Sequence, residues 1–248
     1  MSGHSKWATI KHKKGAADKA RGKLFAKLAR QIEVSAKGGG DIDANPTLRT
    51  AVQKAKAARM TNDAIDRAIK RGTGEAGGDS YESIMYEGYA PGGVALMIDV
   101  LTDNRNRTGA EIRGVFTKLG GSMAEPGAVS WQFARRGVIV TGEGVDEDTV
   151  MTAALEAGAD DVVDEGAAFR VVTDPSVVFD VKAALDDAGV EVISADAPLV
   201  SDNLVPVTDS GDARSVLRVI EALEDNDDVQ DVFSNFDMAD DVLEAAAS

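Results

Sequence analysis

Residues 138–194 read VIVTGEGVDEDTVMTAALEAGADDVVDEGAAFRVVTDPSVVFDVKAALDDAGVEVIS, and this stretch decides the fold. Val138–Thr141 is a short β-branched run, the signature of a buried strand. Asp146 stands where an N-cap is needed, and Gly158 closes the helix that follows. Two further strands are expected near Asp161–Glu165 and Ala168–Thr173. Asp174-Pro175 opens a second helix that turns Val178, Val181 and Leu185 inward and ends at Gly189. A strand over Val190–Ser194 completes the order βαββαβ, a ferredoxin-like unit.

Outward from this block, the flanks read as two parts of another sheet. On the N-terminal side Val94–Leu101 is an apolar run long enough for a buried strand. Thr108-Gly-Ala-Glu111 has the spacing of a capping box, followed by Ile112, Val115, Phe116 and Leu119 at helical period and by Gly120. Glu125-Pro126-Gly127 is a turn, and Val129, Trp131 and Phe133 alternate as a half-buried strand would. On the C-terminal side come a strand over Leu204–Thr208, a helix carrying Val216, Leu217, Ile220 and Leu223, and a strand over Val229–Phe233. The expectation is one α/β domain interrupted by the ferredoxin-like block.

The first 72 residues read differently. From Ala17 to Lys37 the period is helical, with Leu24, Phe25, Leu28 and Ile32 on one face and Lys19, Lys23, Lys27 and Arg30 on another. Gly38, Gly39 and Gly40 end it. Asn45-Pro46, a cap followed by proline at the first helical position, starts a second helix that runs to about Arg59. A third begins at Asn62, with Asp63 and Asp66 early, Lys70 and Arg71 late and Gly72 beyond, the order a helix dipole favours. The spacing also offers Asp63–Arg67 and Asp66–Lys70 as pairs. Residues 72–79, GTGEAGGD, form a linker. Gly72, Gly74 and Gly77 match G-x-G-x-x-G, but a dinucleotide loop follows a strand, whereas here a helix precedes.

The fold class expected is therefore α+β in three domains. They are a basic helical domain over 1–75, a discontinuous α/β domain over 76–133 plus 204–241, and an acidic ferredoxin-like insert over 134–203.

Charge follows the same division. The 248 residues hold 27 Lys+Arg and 42 Asp+Glu, a formal charge of -15. Residues 1–72 contain 17 Lys+Arg against 6 Asp+Glu, residues 73–132 contain 4 against 8, and residues 133–248 contain 6 against 28. A basic head on an acidic body suggests a polyanion partner at one end of the molecule. There is no cysteine, which excludes disulfides, thiolate metal sites and cysteine nucleophiles. Val94–Leu101 is broken by Asp99 and falls far short of the ~20 apolar residues of a membrane span. The opening MSGHSKWATIKHKKG lacks the apolar core of a signal peptide, so a cytoplasmic location is expected.

Candidates for catalysis are few. The two histidines, His4 and His12, lie in the basic arm far from a carboxylate set. The acidic runs, among them Glu224 to Asp231, lack metal-loop spacing and read as solvated surface. Neither a catalytic set, a metal, a cofactor nor a small-molecule substrate is expected.

The candidate contacts are for nucleic acid. Lys6, Lys11, His12, Lys13 and Lys14 in the arm, with Lys19, Arg21, Lys23, Lys27 and Arg30 on the first helix, are placed to meet consecutive phosphates. Trp7 is either a stacking platform for a base or an apolar anchor for the arm. Asn104, Arg105, Asn106 and Arg107 form a second candidate, where guanidinium groups meet a helix start. Arg105 and Arg107 could equally pair with the acidic body. Tyr86-Glu-Gly-Tyr89-Ala-Pro-Gly-Gly93, just before, has the glycines of a turn or of a close backbone approach.

MSGHSKWATIKHKKGAADKARGKLF at Met1–Phe25 resembles the N-terminal signature of the YebC/PmpR family. So do NPTLRTAVQKAKAARMTNDAIDRAIKRG at Asn45–Gly72, YEGYAPGGVALMIDVLTDNRNRTGAEIR at Tyr86–Arg113 and SWQF at Ser130–Phe133. Ala90 stands where that motif often has glycine. The resemblance implies a helical head and two α/β domains around a central cleft, in a cytoplasmic DNA-binding transcriptional regulator. It equally implies ribosomal RNA as a partner. The family includes the mitochondrial translational activator of cytochrome c oxidase subunit I, and some bacterial members associate with the ribosome and relieve stalling at proline-rich stretches. The residues it carries over are Lys6, Lys11, Lys13, Lys14 and the basic residues of Arg21–Lys27, with Asn104–Arg107.

Overall fold

The computed structural model describes residues 17–77 and 81–247. Three helices form the head: α1 (Ala17–Ala36), α2 (Pro46–Ala57) and α3 (Asn62–Gly72). The start of α2 follows from local chemistry, since Asn45 accepts a hydrogen bond from the Leu48 amide through its side chain and Pro46 occupies the first turn. Leu28, Ile32, Leu48, Val52, Ile65 and Ala68 close a compact core. Leu24 turns outward, contrary to the apolar face expected of α1, and is 45% exposed. Gly72 is a packing residue: a Cβ there would lie 2.3 Å from the Glu33 carbonyl oxygen, so α1 and α3 approach only because it is glycine. Arg67 donates to the Asp63 carbonyl oxygen, not to its carboxylate.

The second layer contains β1 (Glu82–Tyr89), β2 (Ala95–Thr102), α4 (Arg105–Leu119) and β3 (Ser122–Ala124). It resumes late in the chain with α7 (Ser210–Glu224), β11 (Val229–Ser234) and α8 (Asp240–Ala247). The sheet order is β11-β2-β1-β3, antiparallel throughout. Alternation along β2 divides the packing. Leu96, Ile98 and Val100 meet Ile112, Phe116, Val216 and Ile220 of the helices, while Ala95 and Met97 meet Val129 and Phe233 on the opposite face. Helix α4 begins a turn earlier than the expected capping box, because the Asn104 side chain accepts from the Arg107 amide. Thr108 is buried inside that helix.

Between these halves lies the insert: β5 (Gly137–Thr141), α5 (Glu147–Glu156), β6 (Ala159–Asp164), β7 (Phe169–Thr173), α6 (Val178–Asp187) and β8 (Val192–Asp196). Its order β6-β7-β5-β8, antiparallel, is the ferredoxin-like arrangement. Asp146 accepts from the Thr149 amide at the start of α5. Ile139, Val150, Val171, Val181 and Leu185 form its core. The two chain crossings are tied by β4 (Phe133–Arg135) against β9 (Leu199–Ser201). Beyond them β10 (Val205–Pro206) pairs in parallel with β12 (Phe236–Asp237), a shorter strand than Leu204–Thr208.

Val129, Trp131 and Phe133 do not alternate as one strand. Ser130–Gln132 is a single helical turn and Trp131 is 71% exposed. The Glu87 carboxylate accounts for the departure, accepting from the amides of Gly127 at 2.8 Å, Val129 at 2.6 Å and Ser130 at 3.0 Å. Burial pushes this carboxyl up, but those three amides outweigh it and hold it below the usual carboxylate range.

Candidate nucleic-acid interface

The basic face of α1 presents Lys23, Lys27 and Arg30 at helical spacing. In the folded chain these cations meet the end of α7. Lys23 Nζ donates to the Asp225 carbonyl oxygen at 3.1 Å and to its carboxylate at 3.2 Å. Lys27 Nζ donates to the Glu224 carbonyl oxygen at 2.9 Å. Arg30 donates to the Asp227 carbonyl oxygen, reaches the Asp228 carboxylate at 3.4 Å and stacks over Tyr81 at 5.5 Å. The last carbonyls of a helix carry partial negative charge and lack partners within it, so a row of cations is well placed there.

Asp228 organises the other side of this contact. Its Oδ2 accepts from Arg107 Nη2 at 2.6 Å, Thr108 Oγ1 at 2.7 Å and Thr102 Oγ1 at 3.1 Å. Burial raises the carboxyl, and the hydrogen bonds from Thr108, Arg107 and Thr102 more than reverse that, leaving it below its ordinary value. Arg107 also holds Asp103 at 2.8 Å. A cleft of about 530 Å³ separates head and body here, bordered by Lys23, Arg30, Arg107, Glu111 and Asp227.

A second tie joins the head to the insert. Lys54 Nζ lies 2.7 Å from Asp196 Oδ1. Burial lowers its pKa, and Asp196 overcomes that and raises it above the ordinary value. Nearby, the register of β2 and β11 sets Asp99 opposite Asp231, and burial together with that like charge pushes Asp99 up.

The candidates from sequence fall into distinct groups. Lys6, Trp7, Lys11, His12, Lys13 and Lys14 lie outside the described residues. Lys19 falls on the first turns of α1. Arg21 is exposed on that helix, and Arg105 and Asn106 are exposed on the first turn of α4. Asn104 is the cap of α4. Lys23, Lys27, Arg30 and Arg107 are brought together around Glu224–Asp228, and there each has acceptors within the chain. Lys54, Asp225 and Asp228 were not singled out by sequence. For Asp225 and Asp228 the signal, an acidic run at the end of an amphipathic helix, is also that of a solvated surface, and Lys54 is one of two lysines on α2 with no local sign of its partner. Among the described residues no group of three or more His, Asp and Glu side chains could hold a metal ion. No described helix is long and apolar enough to cross a membrane.

A basic three-helix head fastened by its own cations to a sheet domain, with a ferredoxin-like domain inserted in that sheet domain, defines a three-domain α+β protein. Residues 5–75 match the family model described as the TACO1/YebC protein N-terminal domain, and residues 81–236 match the TACO1/YebC second and third domain. The chain belongs to the TACO1/YebC family. It is 57% identical over 247 residues to a probable transcriptional regulatory protein of Beutenbergia cavernae, covering 98% of each chain. A protein of the same description from Geobacter sulfurreducens is 53% identical over 245 residues, covering 98% of this chain and 99% of its own. Among solved structures, a conserved hypothetical protein of Aquifex aeolicus superposes with a TM-score of 0.80 at 42% identity. That likeness covers 91% of this chain and 93% of the other.

Proposed function

We propose that this protein is a non-enzymatic nucleic-acid-binding regulator of gene expression, acting as a DNA-binding transcriptional regulator. The observation that carries the reading is the segregation of charge: 17 Lys+Arg against 6 Asp+Glu in residues 1–72, and 6 against 28 in residues 133–248. Phosphates are drawn to the head and repelled by the sheet domains, which limits the orientations of the complex. The names of the relatives support a regulatory role. Within the head and α4, the arm residues Lys6, Lys11, His12, Lys13 and Lys14, with Arg21, Arg105 and Asn106, are the proposed contacts. Lys23, Lys27, Arg30 and Arg107 would instead hold the head on the body. The proposed units are residues 1–75, 76–133 with 204–241, and 134–203.

A second reading, a ribosome-associated translation factor that contacts ribosomal RNA, is favoured by one feature. The exposed residues of α3 include Asp63 and Asp66 beside Arg67 and Lys70, and carboxylates there oppose insertion of that helix into a DNA groove. Crosslinking in cells followed by sequencing of the bound nucleic acid separates the two. Promoter DNA without ribosomal RNA supports the first reading, and ribosomal RNA without promoter enrichment replaces it with the second.

A further inference from the structure

Arg59 is the only non-glycine residue with a left-handed backbone among the described residues, at φ 62. It terminates α2. The Arg59 amide donates to the Lys56 carbonyl oxygen and the Met60 amide to the Ala55 carbonyl oxygen, both at 2.9 Å. These two bonds and the burial of Met60 make a Schellman ending, in which the left-handed position is ordinarily glycine. A side chain there costs energy that glycine would not.

Among the described residues nothing offsets that cost. The Arg59 side chain is exposed, and among the described residues its guanidinium has no hydrogen bond, ion pair or ring contact. Lys56, within the same turn, is also exposed and likewise has no acceptor among the described residues. Lys70, exposed near the end of α3, shares that condition. The contrast with the rest of the head is direct. Lys54, two residues before Lys56, faces the insert and is bound to Asp196. Lys23, Lys27 and Arg30 are bound to the end of α7. Among the described residues the head thus has cations that dock it on the body, and others, Arg59, Lys56 and Lys70, whose side chains have no acceptor.

We propose that the α2–α3 turn, centred on Arg59 with Lys56 beside it and Lys70 further along α3, is a contact surface for the phosphate backbone of a nucleic acid. The proposal rests on the nucleic-acid reading above and names the part of the head that makes the contact. Strain retained under an exposed cation is explained by an acceptor outside the chain. Asp63 and Asp66 share the exposed side of α3 and limit the surface to a few phosphates.

The test uses the full-length protein with labelled mixed-sequence DNA and RNA duplexes, titrated at several salt concentrations. Arg59→Gly removes the cation and relieves the backbone, whereas Arg59→Gln removes the cation alone. Both variants should bind roughly fivefold more weakly at physiological salt, with the salt slope reduced by about 1, the effect of one lost phosphate contact. Arg59→Gly should also melt higher than the wild type, so weaker binding could not be ascribed to unfolding. Wild-type affinity and slope in both variants, while Lys11→Ala, Lys13→Ala and Lys14→Ala together abolish binding, would overturn this surface and leave the nucleic-acid reading intact. Failure of the wild type to bind either duplex would overturn both.

Discussion

Arg107 Nη2 donates to Asp228 Oδ2 at 2.6 Å, closing a contact between residues 121 positions apart. The same carboxyl oxygen accepts from Thr102 and Thr108, and its companion oxygen faces Arg30 of the head. One side chain therefore fixes the end of β2, the first turns of α4 and the seat of α1. Asp228→Ala removes the acceptor that two buried threonine hydroxyls share, leaving them with each other and the Asn104 backbone as partners. The expected cost is about 2 kcal/mol, by analogy with other buried hydrogen-bonded groups. A lower thermal midpoint, with faster amide exchange at the start of α4, checks it; an unchanged melt would remove Asp228 from the role given to it.

Acid should act through the same residue. Asp228 and Glu87 both sit below the ordinary carboxylate value when folded, because hydrogen bonds to the charged form outweigh burial. A depressed folded pKa contributes stability that is fully present above the unfolded pKa of about 4 and is lost as pH falls through the folded value. Stability is expected to be flat in this respect near neutrality and to fall as the solution is acidified below about pH 4–5. Asp228→Asn with Glu87→Gln should flatten that acid limb in a pH series of thermal melts. A wild-type limb of the same steepness in the double variant would refute the assignment.

Docking of the head should depend on charge and on salt. Lys23 and Lys27 reach partners 202 and 197 positions away. The exposed Lys23–Asp225 pair contributes about 0–1 kcal/mol and is screened by ions, while Lys27 adds a partly buried hydrogen bond to the Glu224 carbonyl oxygen. Replacing Lys23 and Lys27 by Glu turns attraction into repulsion against Glu224–Asp228. The variant should show a larger radius of gyration by small-angle scattering at low salt, and the wild type should move toward it as salt is added. Equal radii at all salt concentrations would mean that other contacts, Lys54–Asp196 among them, suffice.

These distances also explain what was legible in the sequence. The start of α2 depends on Asn45 and Pro46, which are adjacent, and the ferredoxin-like order depends on strand and helix periods that recur within a few residues. Local chemistry decides both. The head–body contact depends on cations and carbonyls some two hundred positions apart, and nothing local in the run Glu224–Asp231 separates a docked acidic turn from a solvated one. The start of α4 is expected at Thr108, but the cap is Asn104. The Thr108 hydroxyl is turned inward to Asp228, a partner 120 positions away that no local pattern shows. Trp131 has the spacing of a strand residue, but the Glu87 carboxylate, far from it in sequence, curls the segment into a turn.

Gly72 gives a prediction about packing. A Cβ at this position would stand 2.3 Å from the Glu33 carbonyl oxygen and 2.6 Å from Ala36 Cβ, and neither backbone nor methyl can swing aside. Gly72→Ala should push α3 away from α1 and cost about 1–3 kcal/mol, as overpacking does in other cores. Because Arg71 pairs with Glu33 at 2.9 Å across the same contact, the displacement should also lengthen that ion pair. A drop in thermal midpoint checks the first part. Normal stability would show that the helices have slack that their close approach does not suggest.

Glu87 supplies the last prediction. Its carboxylate is buried in β1, yet its acceptors are filled by three amides of the Gly127–Ser130 segment and by no cation among the described residues. Glu87→Gln keeps the shape but replaces one acceptor oxygen with an amide NH₂ facing backbone N–H groups, so at least one close contact becomes donor against donor. Leaving such a group unsatisfied costs about 1–3 kcal/mol. The loss should be local, because this segment holds Trp131 through an indole N–H donated to the Ala128 carbonyl oxygen at 3.1 Å. Amide exchange at Gly127, Val129 and Ser130 should rise, while exchange in the insert core around Ile139 and Val171 stays unchanged. If the insert exchanged faster to the same degree, Glu87 would be holding the two sheet domains together, not one turn.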